Sequence, residues 1–192
     1  TTFMTRAFRR PVKPEEVDAC YELAQPGIEA NIPFQDAIKP AYLAVLSSSE
    51  FLFLDEQPGK LNDFALANRL SYFLWSSMPD EALFEIAKSG KLHEPAVLET
   101  QVDRMLQDER AERFIESFAN DWLQVDKVQA MPGTQNAWLA GSMKHETYRF
   151  LREMLRGDHD VVNLIDSDFV VVDDKMAHYY GIEGVAGPEF RL

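Results

Sequence analysis

The sequence predicts an all-α fold, a helical bundle of about seven to eight helices with one short extended segment near the C-terminus. Three observations carry this expectation. Apolar side chains recur at spacings of three and four residues through most of the chain. Blocks of that pattern are bounded by helix-start signals such as Lys13-Pro14-Glu15-Glu16 and by stop signals such as Ser89-Gly90. The β-branched density that strands favour is confined to Asp168-Phe-Val-Val-Val-Asp173, which is too short for a sheet of its own.

Composition agrees with a folded domain. The 192 residues are 46% hydrophobic and 27% charged, and a chain of this size buries roughly 70% of its unfolded surface. With 32 acidic against 19 basic side chains the formal net charge is −13, which opposes approach to a phosphate backbone, so no nucleic acid is expected as a partner. A lone cysteine, Cys20, excludes an internal disulfide, a Cys-x-x-Cys-His haem attachment and a thiolate zinc cluster within these residues. No apolar run reaches the length of about 18 residues that a membrane span needs, so no membrane insertion is expected. The opening TTFMTRAFRRPV also lacks the apolar segment of a signal peptide.

Taken in order, the first helix starts at Pro14, carries Val17, Cys20, Tyr21 and Ala24 on one face, and is expected to end at Gln25-Pro26-Gly27. A second begins near Phe34 with Ala37, Ile38, Ala41, Tyr42, Val45 and Leu46 aligned, and Pro40 is expected to kink or interrupt it. SSSEFLFLDEQPGK then reads as a helix end, a short apolar anchor and a linker. This places a boundary near residues 55 to 60, between a small helical domain over 1–57 and a second helical domain over 58–192. From Asn62 to about Trp75 apolar residues occupy nearly every side, the pattern of a central helix surrounded by others. Ser77-Met-Pro-Asp80 has capping-box spacing and marks a corner before a helix from Asp80 to about Lys88. Another opens at His93-Glu94-Pro95 and carries Leu98, Val102, Met105 and Leu106.

The most regular stripe runs from about Glu109 to Gln124, where Ala111, Phe114, Ile115, Phe118, Ala119, Trp122 and Leu123 share one face, and packing is its expected role. A Met131-Pro-Gly-Thr134 loop leads to a long helix from about Asn136 to Arg156 that presents Leu139, Met143, Phe150, Met154 and Leu155 and stops at Gly157. After the extended 168–173 segment a small helix spans Asp174 to Tyr180, with Asp173 placed as its N-cap and Gly181 as its C-terminal stop.

Chemistry has few candidates, and we take Glu146, Asp173 and His178 as the possible catalytic ones. Glu146 falls on the apolar face of the long helix, where a carboxylate must be paired, protonated or coordinating something. Arg69 is the candidate partner for an ion pair. Asp158, Asp160, Asp166, Asp168, Asp173 and Asp174, with His159 and His178 nearby, offer oxygen ligands for a hard cation, but their spacing fits no calcium loop. Caps, turns and a solvated face account for them better, and no metal site is expected. His93 begins a helix and His145 points away from the apolar stripe, and no two histidines have the i, i+3 or i, i+4 spacing of a metal site. Ser47-Ser48-Ser49 lacks a nucleophile elbow, and no glycine-rich phosphate loop occurs. Cys20 reads as a buried hydrophobe, while Trp75, Trp122, Trp138 and the thirteen phenylalanines read as core and interface or as the lining of a groove.

Four ordered strings carry a resemblance: LANRLSYFLWSSMPDEALFEIAKSGKLHEPAVLETQVDRML, FANDWL, SMKHETYRF and LIDSDFVVVDDKMAHYYGIEGVAGPEF. Together they resemble the central domain of the planctomycetal cytochrome-c-linked multidomain proteins of unknown function. RAFRRPVKPEEVDACYEL with FQDAIKPAYLAVLSSSEFLF resembles the small domain that precedes it there. The resemblance implies an internal piece of a longer exported protein, periplasmic or extracytoplasmic, whose c-type haem sits on a separate domain; none is expected on this chain. In those proteins a histidine stands directly before the final Tyr-Gly. Here Tyr179 occupies that place, and His178 lies one position earlier, about 100° around the helix.

Three functions follow as expectations. The chain is a noncatalytic helical scaffold whose partners are the other domains of its parent, or part of an enzyme whose acidic site at Glu146 or the tail aspartates another domain completes, or a module that binds extracellular polymer. The first needs only packing.

Overall fold

The structure is a computed structural model and describes residues 2–54, 56, 58–128, 137–157 and 159–192, with the backbone alone at 137 and 138. The Met131–Thr134 loop, the first residue of the expected 136–156 helix, the Trp138 side chain and Asp158 lie outside the described residues. The fold is all-α, as the periodicity predicts, with no strand among the described residues. The extended segment survives as a single antiparallel bridge between Val172 and Arg191. Eleven α-helices stand among the described residues, against about seven to eight expected. The surplus comes from an N-terminal helix with no sequence signal, from division of the Phe34–Leu46 stretch, and from a single turn after it.

Two compact units share the chain, one formed by Thr1–Phe73 with Ser77–Gln101 and the other by Leu74–Ser76 with Val102–Leu192. The first holds α1 (Thr2–Phe8), α2 (Pro14–Glu29), α3 (Phe34–Ala37), α4 (Lys39–Leu46), α5 (Ser49–Leu52), most of α6 (Asp63–Trp75), α7 (Glu81–Lys88) and the start of α8 (Pro95–Gln107). Met4, Ala7, Phe8 and Val45 form its core, with Val12, Val17, Cys20 and Phe51 packed against them.

The start of α2 is reciprocal: the Glu16 carboxylate accepts the Lys13 N–H at 2.7 Å while Glu16 N–H donates to Lys13 O at 3.1 Å, and Arg10 donates to the same carboxylate at 2.7 Å. Its end differs from expectation, because the helix runs through Pro26-Gly27 and stops at Glu29. Proline forfeits one intrahelical bond, yet Ala30 still donates to Pro26 O at 3.0 Å. The glycine is there for close approach. A Cβ on Gly27 would lie 2.9 Å from Ala37 Cα in α3. The stop is Asn31, in the left-handed region at φ +53°. Pro40 falls in the first turn of α4, and Ile38 separates that helix from α3.

Helix α6 does not lie enclosed on all sides. Ala65, Ala67 and Ser71 are buried, whereas Arg69 and Tyr72 are exposed and Phe73 is 64% exposed. Apolar residues on every face of a helix do not say which faces meet a partner. Its first turn is held by Asn62, whose side chain accepts from Ala65 N at 2.9 Å, and by Asp63, which accepts from Leu92 N at 2.7 Å. Phe64 meets the Phe84 ring of α7 at 5.3 Å. The corner before α7 is capped by Asp80, which accepts from Leu83 N at 3.0 Å; the N-cap is thus Asp80 and not Ser77.

The second unit holds the ends of α6 and α8 with α9 (Glu112–Leu123), α10 (Ala137–Arg156) and α11 (Asp174–Tyr180). Trp75 is wholly buried. Its indole Nε1 donates to Met105 O at 3.0 Å, the Arg110 guanidinium lies 3.5 Å from its ring centre, and Arg113 donates to its carbonyl at 3.0 Å. Ile115 and Ala119 of α9 pack with Val125 and Leu151. The rest of that stripe is not core: Phe118, Trp122 and Leu123 are 40%, 51% and 47% exposed. Val172, Met176 and Ala177 form a further cluster with Leu139 and Met143 of α10 against them.

Candidate functional site

Two of the sequence candidates, Glu146 and Asp173, meet where α10 packs on α11. Two side chains one turn apart on α10, Ser142 and Glu146, face that junction. Asp173 precedes α11 in extended backbone, so its carboxylate is placed to take the free N–H groups of the first turn. It does so at 2.8 Å from Met176 N through Oδ1, while Oδ2 accepts from Ser142 Oγ at 2.9 Å. Asp173 is 4% exposed. Both oxygens are therefore engaged by the protein, one for a helix end and one for tying α10 to α11.

Glu146 is half-buried, and its Oε2 accepts from the Tyr180 hydroxyl at 3.0 Å. Burial raises its carboxyl above the ordinary range; the Tyr180 hydrogen bond opposes that shift and the charge of Asp173 adds to it. Tyr180 is pushed up to about 12, by burial first and then by the Glu146 charge and hydrogen bond. The phenol thus stays protonated as a donor across the ordinary pH range. Glu146 and Asp173 are brought into one electrostatic neighbourhood, but the expected pairing of Glu146 with Arg69 is not found. Arg69 is exposed and binds Glu56 instead, with its Nε at 2.7 Å. An exposed arginine loses least by pairing locally, and the carboxylate on the apolar face is met by a neutral phenol rather than a cation.

The other candidates disperse. His178 is exposed on α11. Asp160 caps a 3-10 turn by accepting from Val162 N at 2.9 Å, and Asp168 N donates to Asn163 Oδ1 at 3.1 Å. Among the described residues no group of three or more His, Cys, Asp or Glu side chains is arranged to hold a metal ion. His93 lies 2.7 Å from Leu61 O, His145 2.9 Å from Gly141 O, and His159 3.2 Å from the Glu153 carboxylate. Cys20 is half-buried rather than buried, and its thiol is pushed up by desolvation, which suppresses the thiolate. Sequence reasoning missed Tyr180 as the partner of Glu146. The only available signal was that the last residue of a capped helix faces back along its own turn.

Chemically, the α10–α11 junction offers two carboxylates, a serine hydroxyl and a phenol. Asp173 and Ser142 are spent on each other and on the helix cap; Glu146 and Tyr180 remain as a hydrogen-bonded pair at the edge, with the phenol as donor.

Residues 61–182 match the family model described as PSD4, protein of unknown function (DUF1592), and residues 1–56 match PSD5, protein of unknown function (DUF1595). No curated protein and no solved structure matches the chain significantly.

Proposed function

The chain belongs to the PSD4 family of proteins of unknown function (DUF1592), and we propose that it acts as a noncatalytic helical scaffold or interaction domain. In this reading it is part of a larger, exported, redox-associated protein of the planctomycetal cytochrome-c-linked kind. It works outside the cytoplasm, its partners are the other domains of that protein, and the c-type haem is carried by one of them. No described helix is long and apolar enough to cross a membrane.

One observation carries the reading. Along α9 the rings of Phe114, Phe118 and Trp122 follow one another at 5.9 and 5.3 Å, and the last two, with Leu123, are partly exposed. A row of large apolar groups at helical spacing is a surface suited to another folded domain. A second reading, an acidic active site, has in its favour the raised Glu146 carboxyl beside Tyr180.

Titrating the isotope-labelled chain with the separately produced haem domain of its parent protein distinguishes them by NMR. The scaffold reading expects resonance changes centred on Phe118, Trp122 and Leu123. Changes centred on Glu146 and Tyr180, or none at millimolar domain, would sink it.

A further inference from the structure

A hollow of about 290 Å³ opens between α1, α2, α3 and α4, wholly within the first unit. Its floor is core: Met4 and Val45 are buried, and Val17 and Cys20 pack against them. Its rim is not closed over. Phe3, Tyr21, Phe34 and Tyr42 border it and stay 38%, 58%, 69% and 41% exposed. Phe3 and Tyr42 meet edge to face at 4.5 Å, so two of the four rings hold each other in place. None of the ten described residues that line the hollow carries a charge, in a chain that is 27% charged.

A recess floored by core side chains and rimmed by exposed rings is where a small apolar molecule takes most apolar surface out of water. The chemistry of the walls narrows the class. An ion entering the hollow would lose hydration and meet no counter-charge among the lining residues, so the occupant is neutral. Four aromatic side chains and the sulfur-bearing Met4 and Cys20 complement the faces and edges of a ring. A flexible hydrocarbon chain would meet the same walls but lose rotamer freedom on entry. Size sets the limit: a cavity of about 150 Å³ holds one benzene, so this hollow holds about two fused rings. A peptide would have to lay its backbone amides on the apolar rim, which offers them nothing beyond two phenols.

We propose that this hollow binds a free, neutral aromatic molecule of one or two fused rings. The α9 row belongs to the other unit, so this inference and the scaffold reading can each fail without the other.

The test titrates the intact chain with indole and 2-naphthol and reads occupancy in two ways. NMR follows Ala41 and Val45, which line the hollow, and N-ethylmaleimide alkylation follows Cys20, the lone cysteine and part of the floor. Saturable NMR changes and a matching slowing of alkylation are expected with both compounds. 1-Octanol stands for a linear chain and a tryptophan-centred tripeptide for the side chain of a protein partner; both should bind more weakly than indole. Ala41→Leu keeps a good helix former and fills the hollow, so it should weaken indole binding at least about tenfold. The Cys20 readout needs no substitution, so the proposal stays testable even if that variant does not fold. Non-saturating changes, Cys20 alkylation indifferent to both aromatic compounds, or indole binding unchanged in folded Ala41→Leu would each overturn it. Octanol or the tripeptide binding as tightly as indole would also overturn it, in favour of a linear lipid chain or of protein docking.

Discussion

Trp75 combines the largest fully buried side chain among the described residues with three polar attachments, so removing it should be severely damaging. Trp75→Ala is expected to cost about 3 to 5 kcal/mol in urea unfolding. Trp75→Phe should cost less, chiefly by leaving Met105 O without its donor. Asp173 is the polar counterpart. Asp173→Ala removes both the α11 cap and the Ser142 tie, for about 1 to 3 kcal/mol, and Asp173→Asn, which keeps one acceptor and gains a donor, should lose less. Glu146 gives a pH test. Its folded carboxyl binds the proton more tightly than the unfolded chain does. Its contribution is therefore fully present below the unfolded value of 4.5 and is lost as pH rises through the higher folded value. Glu146→Gln fixes the neutral form, so the variant's stability relative to the parent should rise as pH increases above 4.5. A flat difference across that range would mean that Glu146 is solvated. Glu16 has the opposite sign. Arg10 holds its carboxyl down to about 2, so the stability it contributes is present above 4.5 and is lost as pH falls toward 2.

At the scale of elements, two substitutions separate local from tertiary causes. Asp80→Ala should cost about 1 kcal/mol through the lost α7 cap, whereas Ser77→Ala should stay within about 0.5 kcal/mol, as the observed cap requires. Gly27→Ala forces a methyl against Ala37 and should cost about 1 to 3 kcal/mol by overpacking, despite the better helix propensity of alanine. These cases also show what the sequence makes legible. Pro14, Asp173 and Gly181 announce helix ends because their partners lie within a turn. Helix α1 gives no such signal, because what closes it is Arg9 reaching carbonyls 41 to 44 residues away, while α5 carries a local one in its N-cap Ser48, which accepts from Phe51 N. The same limit hid the candidate site. Asp173 was found from its capping position, while the Tyr180 that meets Glu146 lies 34 residues along the chain. Arg69 was misassigned because helical spacing shows which face a residue occupies and not which element comes to meet it.

At the scale of the whole molecule, the acidic excess, a formal net charge of −13, favours solubility. The two family matches meet between residues 56 and 61, while the compact units divide inside α6 and α8. Sequence families and packing therefore partition this chain differently, as they do when neighbouring domains share helices. The central claim is that the α9 row is a surface held for a partner and not part of the core. Equilibrium unfolding of the Phe118→Ser, Trp122→Ser double variant beside Ile115→Ala tests it most directly. The account predicts that the double variant loses about 1 kcal/mol or less and keeps its far-UV spectrum, while Ile115→Ala, fully buried, loses about 2 to 5 kcal/mol. A loss in the double variant as large as that of Ile115→Ala would make the row core and contradict the scaffold reading.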